Sequence, residues 1–152
     1  MNVDIGSLAK IILAARRRKL FRSAPIFDAH AVVSPDELRY LDSKVGTALP
    51  AALRDWLLAV GYGDIDDELS FREAWFAALE TGPLQGSATF AQDTLGNFYA
   101  FDAAGRIYFL ARSEPAFTVV AENFSVFVEE LIRRDYKLGE WMDAVKMETY
   151  AR

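Results

Sequence analysis

The chain has a single histidine, His30, and no cysteine. A serine–histidine–carboxylate relay would therefore have to run through that one imidazole. Thiolate nucleophiles, disulfides and cysteine metal sites are excluded outright, and so is a site built on several histidines. His30 stands in "FDAHAVV" with Asp28 two residues away. This reads as a connector, and a surface or half-buried histidine is the simpler account of it. Carboxylates are more plentiful. "DIDDE", residues 64–68, has calcium-friendly oxygens. It lacks the central glycine and the twelfth-position glutamate of a calcium loop, because Trp75 stands twelfth from Asp64. Asp93 and Asp102 could be paired on paper as the two acids of a glycosidase, with nothing but residue type behind the pairing. Asp93, Gly96 and Asn97 more simply build a turn. Gly61 and Gly63 flank Tyr62 in a pattern too short to cradle a nucleotide, and Gly61 fits a left-handed helix cap. No catalytic residue, metal or cofactor is expected, and the chain does not read as an enzyme.

The elements that must carry these residues follow from length and periodicity. A chain of 152 residues suggests one domain, 1–152. The net charge of −5 argues against direct binding of nucleic acid and is compatible with a basic partner. No apolar run approaches the ~20 residues of a membrane span. The N-terminal stretch has its basic cluster after its apolar run, the wrong order for a secretory signal. The expectation is a cytoplasmic protein, a monomer or weak homodimer, with no membrane partner.

Ile5, Leu8, Ile12 and Ala15 recur at helical spacing, and the helix is expected to run over 5–22. Arg16, Arg17, Arg18 and Lys19 would load its C-terminal end, where cations suit the dipole. "SPDEL" supplies an N-cap at Ser34, proline at the first helical position and a capping-box glutamate, Glu37. "LPAALRDWLLAVGYGD" reads as the next helix, with Leu53, Trp56, Leu57 and Val60 as its stripe. "DIDDE" reads as a loop, "LSF" as a short strand and "EAWFAALE" as a helical turn or two. Three strands follow in "ATFAQDTLGNFYAFDAAGRIYFLA", residues 88–111, and a fourth in "AFTVVA" after "RSEP". Asn123 caps a last strong helix, with Phe124, Phe127, Val128, Leu131 and Ile132 on one face. The tail with Trp141, Met142 and Val145 could add another. No internal repeat is evident.

Helices, then strands, then a helix is an α+β order. The expected architecture is a mostly antiparallel sheet of about five or six strands packed by flanking helices. The meander is apolar on both faces. Tyr99 and Phe101 oppose Phe98 and Ala100, and Tyr108 and Leu110 oppose Ile107 and Phe109. One face must line a core, and the other must be covered at least in part.

Three blocks in order resemble the SUKH superfamily, the group of Smi/Knr-like cell-wall regulators and bacterial immunity proteins. They are "LPAALRDWLLAVGYG", "FAQDTLGNFYAFDAAGRIYFL" and "VAENFSVFVEELI", together spanning 49–132. No single block is specific; the ordered set is the informative part. The resemblance implies a binding protein with no shared catalytic residues. It implies an immunity protein that neutralises a cognate bacterial toxin, one attacking nucleic acids, by direct occlusion. The alternative is a regulatory scaffold domain binding an endogenous protein.

On that reading Asp64, Asp66, Asp67 and Glu68 form an acidic patch facing a basic toxin surface, which steers association. Tyr99 is the expected aromatic anchor, with Tyr108, Trp75 and Phe76 as other candidates, since such rings favour interface hot spots.

Overall fold

The computed structural model describes residues 4–112, 116–145 and 148–149. Helix α1 (Ile5–Ala14) starts at Asp4, whose carboxylate accepts the Ser7 N–H, and it buries Ile5, Leu8, Ala9 and Ile12. It does not continue to residue 22. The next positions of its inward stripe would be Arg16 and Lys19, and a core cannot accept two unpaired cations. The chain instead folds into a separate two-stranded hairpin, β1 (Arg16–Arg18) against β2 (Ser23–Pro25). The segment expected as a connector then supplies a strand, β3 (Phe27–Ala31).

Helix α2 (Pro35–Val45) is capped as its sequence requires, with the Glu37 N–H donating to Ser34 Oγ at 3.1 Å. The capping box is only half formed. The Glu37 carboxylate turns away and accepts the Tyr62 hydroxyl at 2.6 Å. Helix α3 (Ala51–Val60) follows Pro50 and buries Leu53, Trp56, Leu57 and Val60.

The remaining strands are β4 (Tyr62–Ile65), β5 (Leu69–Phe71), β6 (Ala77–Ala78), β7 (Ala88–Asp93), β8 (Phe98–Phe101), β9 (Ile107–Leu110), β10 (Ala116–Ala121) and β11 (Glu148–Thr149). Helices α4 (Phe124–Arg133) and α5 (Leu138–Ala144) complete the chain. The main sheet runs β11-β10-β9-β8-β7-β5-β4-β3, with β6 paired to β7 off this path. Every neighbouring pair is antiparallel. The α+β class is as expected, and the meander strands fall where the sequence puts them. The sheet is wider than five or six strands, with nine among the described residues. The additions are β3, β4, β6 and β11, and the last two have two residues each, too short to show a period of their own. "EAWFAALE" resolves into a 3₁₀ turn (Glu73–Trp75) and β6, not a helix. Of the "RSEP" connector, residues 113–115 lie outside the described residues.

One cluster of buried side chains extends from Ile5 to Met142 beneath the inner face of the sheet. Its centre is aromatic. Trp56, Phe71, Phe90 and Phe124 meet with ring centroids 5.7 to 6.3 Å apart. A bulge in β7 between Thr89 and Ala91 lets Phe90 and Ala91 both be fully buried there. The outer face has a smaller cover. Ala100 and Tyr108 lie under Leu84, flanked by Leu79, Leu110 and Phe117. The loop of residues 79–87 thus answers the two-sided apolarity of the meander: helices close one face, and a loop closes part of the other.

Gly61 and Gly63 serve a close approach of backbones. Gly61 has φ 78° and ψ −164°, a region open essentially to glycine alone. A Cβ on it would lie 2.2 Å from the Ala31 carbonyl oxygen, and one on Gly63 would lie 2.5 Å from that of Asp28. The Gly-Tyr-Gly pattern therefore seats β3 on β4. The left-handed cap expected at Gly61 is found instead at Gly46, with φ 77° and ψ 13°.

Candidate functional site

The outer face carries one continuous cross-strand row. Asp28 pairs with Asp64, Asp64 with Ser70, Ser70 with Gln92, Gln92 with Phe98, Phe98 with Leu110, and Leu110 with Phe117. Side chains on one face of paired strands stand side by side, so the row divides the face. Its β3–β7 half is polar, and its β8–β10 half is apolar. Trp75 sits at the boundary, half-buried, with its ring edge-on to Phe98 at 5.9 Å.

The polar half is concave. A groove of about 450 Å³ is lined by the carboxylates of Asp64, Asp67, Glu68 and Asp93, with Arg72, Trp75, Gln92 and Thr94 around them. The acidic stretch is not a loop throughout. Asp64 lies in β4, and the turn to β5 is made by Asp66 and Asp67, both at positive φ, 50° and 57°. Aspartate is among the few non-glycine residues that accept this conformation. The hairpin therefore splits the four acids between two sides. Asp64, Asp67 and Glu68 line the groove. Asp66 turns away to Arg17, 2.7 Å distant, which also reaches Asp135 at 3.0 Å.

The groove acids differ in how much charge they offer. Asp64 is held by the Ser70 hydroxyl at 2.6 Å and by His30 at 3.0 Å, with Arg72 3.7 Å away. Glu68 accepts the Gly139 N–H through one oxygen at 3.0 Å. Asp93 is fully occupied by its own turn. Its Oδ1 accepts the N–H groups of Leu95 and Asn97, and its Oδ2 accepts the Tyr99 hydroxyl, each at 3.0 Å. Asp67 is exposed and makes no hydrogen bond or ion pair among the described residues.

Tyr99 cannot anchor a partner. It is fully buried, packed on Phe109 and Phe127. Burial first, then the Asp93 charge and hydrogen bond, push its hydroxyl well above the ordinary tyrosine range, so it stays a donor. Its alternation on β8 puts it on the inner face, where it holds Asp93 from beneath. Phe76 is likewise fully buried, and Tyr108 lies under Leu84. Of the aromatic candidates, Trp75 alone keeps accessible surface in the groove. Asp93 reads in the sequence as a turn residue, and nothing local marks Arg72 or Gln92. All three reach the groove through pairing of β5 with β7, which no local pattern reports.

At the outer edge of the polar half, donor atoms of Asp28, His30 and Asp64 lie within 4.8 Å of one another. This is a mixed nitrogen–oxygen set of the kind that could hold a divalent ion. Arg72 approaches the same Asp64 oxygen that His30 contacts and opposes a further positive charge there.

Comparison with protein-family models, curated proteins and solved structures finds no match to this chain. None of the described helices is long and apolar enough to cross a membrane.

Proposed function

We propose that the chain is a binding protein of the Smi/Knr-like type whose outer sheet face captures a basic protein, and that this protein is a nucleic-acid-attacking toxin held inactive by occlusion. The observation that carries this reading is the divided row. An acidic groove and a half-buried apolar strip meet at a half-buried tryptophan on one sheet face. Such a face offers cationic side chains a seat beside an aromatic anchor, the composition favoured at interface centres. Cations of a toxin that would otherwise hold phosphates fit that seat. The four lining carboxylates against the one cation of Arg72 give the groove a formal charge of −3. A standard interface would cover about 800 Å² of this face.

The test is growth rescue combined with capture. The product of the neighbouring gene is expressed alone, with this chain, and with a variant carrying Asp67→Lys and Glu68→Lys. The expected result is toxicity alone, rescue and stoichiometric capture with the native chain, and loss of both with the variant. Rescue by the variant equal to that by the native chain would remove the groove from the contact. Capture of a harmless partner would replace the immunity reading with that of a regulatory scaffold.

A further inference from the structure

The hairpin β1–β2 is the strongest feature that the groove does not use. Its tip presents Leu20 and Phe21, 87% and 94% exposed, side by side in sequence. Residues 16–22 hold Arg16, Arg17, Arg18, Lys19 and Arg22 and no carboxylate, so +5 is concentrated here while the other residues sum to −10. The cations were expected to complement a helix end. They lie beyond the helix, which stops at Ala14 with no cation in its last turn.

The hairpin is also held in place. Alternation turns Arg17 and its cross-strand partner Ala24 toward the body, while Arg16, Arg18, Ser23 and Pro25 face out. Arg17 is gripped by Asp66 and Asp135 from two different segments. Arg16 braces the opposite strand through the Ser23 hydroxyl and carbonyl at 3.0 and 3.2 Å. The finger is thus clamped at its base. Arg16, Arg18, Lys19 and Arg22 have no carboxylate partner among the described residues.

We infer that this hairpin docks the protein on an anionic lipid surface, with Leu20 and Phe21 entering the headgroup–acyl boundary and the four unpaired cations meeting lipid phosphates and carboxylates. Two signals together, a short apolar insertion and a polybasic patch, are what reversible membrane association requires. Three observations favour lipid over the other anionic partners. Two adjacent, almost fully exposed apolar side chains call for an apolar phase, which a bilayer supplies without being kinked and a nucleic-acid duplex does not. Lys19 and Arg22 share a cleft with Asp28, Asp66 and Asp67. A duplex laid along the hairpin would bring its phosphates against those acids, whereas a membrane met only by the tip would not. A protein interface of standard size needs about 800 Å² on each side, more than a two-residue tip supplies. This inference stands apart from the partner assigned to the groove, since its test uses this chain alone.

The experiment is co-sedimentation of the purified chain with vesicles in which about a third of the lipid is phosphatidylserine, against vesicles of phosphatidylcholine only. Binding to the anionic vesicles is expected, with at least tenfold weaker binding to the neutral ones and a steep loss on raising salt. Leu20→Ser with Phe21→Ser, and separately Arg18→Glu with Lys19→Glu, should each weaken binding at least tenfold. All four side chains are solvent-facing, and unchanged circular dichroism and melting would confirm that the variants fold. No binding to anionic vesicles, or binding indifferent to both pairs of substitutions, overturns the inference. So does tighter binding to a short duplex DNA than to the vesicles, which would make the hairpin a nucleic-acid element.

Discussion

Asp93 and Asp102 perform the same task nine residues apart. "DTLGNFY" and "DAAGRIY" share the pattern Asp-x-x-Gly-x-x-Tyr. In each, the aspartate accepts the N–H groups two and four residues on and the hydroxyl of the tyrosine six residues on. This is a short internal repeat, where none was expected from the sequence. The register pairs Tyr99 with Phe109 and Ala100 with Tyr108, so the two copies face opposite sides of the sheet, and Tyr99 is buried within while Tyr108 is under the outer loop. Burial acts to raise the Asp102 pKa. The bonds from the Arg106 backbone, the Tyr108 hydroxyl and the Arg106 guanidinium outweigh it and hold the carboxyl below the usual range. A depressed folded-state pKa contributes stability that is complete above the unfolded value and is lost as pH falls through the folded one. Asp102→Asn is therefore expected to cost about 1–2 kcal/mol at neutral pH. The gap between native and variant should close progressively below about pH 4. Urea unfolding at several pH values measures it; a gap that widens on acidification would refute the account.

Elements differ in how much of their placement can be read locally. The caps of α2 and α4 and the three strands of the meander were legible because each signal lies within its own segment: Ser34 before Pro35, Asn123 before Phe124, Gly96 and Gly105 in the two tight turns. Residues 16–31 were not legible. Arginine, lysine and leucine favour a helix; the cations on the inward stripe end α1, and the grip of Asp66 and Asp135 on Arg17, from segments far along the chain, then fixes the hairpin. The groove was half legible. Charge density pointed to Asp64, Asp67 and Glu68, but the two positive-φ residues that send Asp66 the other way are a property of the turn. The meander's two apolar faces were legible as a pattern, and their unequal cover now has a consequence. Phe90, fully buried at the aromatic centre, should cost about 3–5 kcal/mol when replaced by alanine. Leu84, which only roofs Ala100 and Tyr108, should cost about 1–2 kcal/mol, because a surface loop can settle into the space. Denaturant unfolding of Phe90→Ala and Leu84→Ala compares them; equal losses would mean that the outer cluster is a second full core.

At the scale of the molecule, charge is distributed as a polarity: a basic finger on a body of −10. Asp67 stands at the junction, lining both the groove and the cleft at the base of the finger. A basic partner approaching from solution feels the summed field before it makes any contact, so the acids of the groove act chiefly on the rate of encounter. Their reach is about 8 Å at physiological ionic strength. Only charges on the same side of the body as the groove can guide the final approach, and Asp67 and the free oxygen of Glu68 are the least engaged of them. Reversing both with lysine shifts the local field by four charges and leaves the side chains of the aromatic centre unchanged. The association rate with the captured partner should therefore fall at least tenfold at low salt, with the difference shrinking as salt rises and the dissociation rate moving less. Stopped-flow mixing over a range of ionic strengths separates the two. An effect confined to dissociation and indifferent to salt would mean that these acids make desolvated contacts at the centre of the interface and do not steer from its rim.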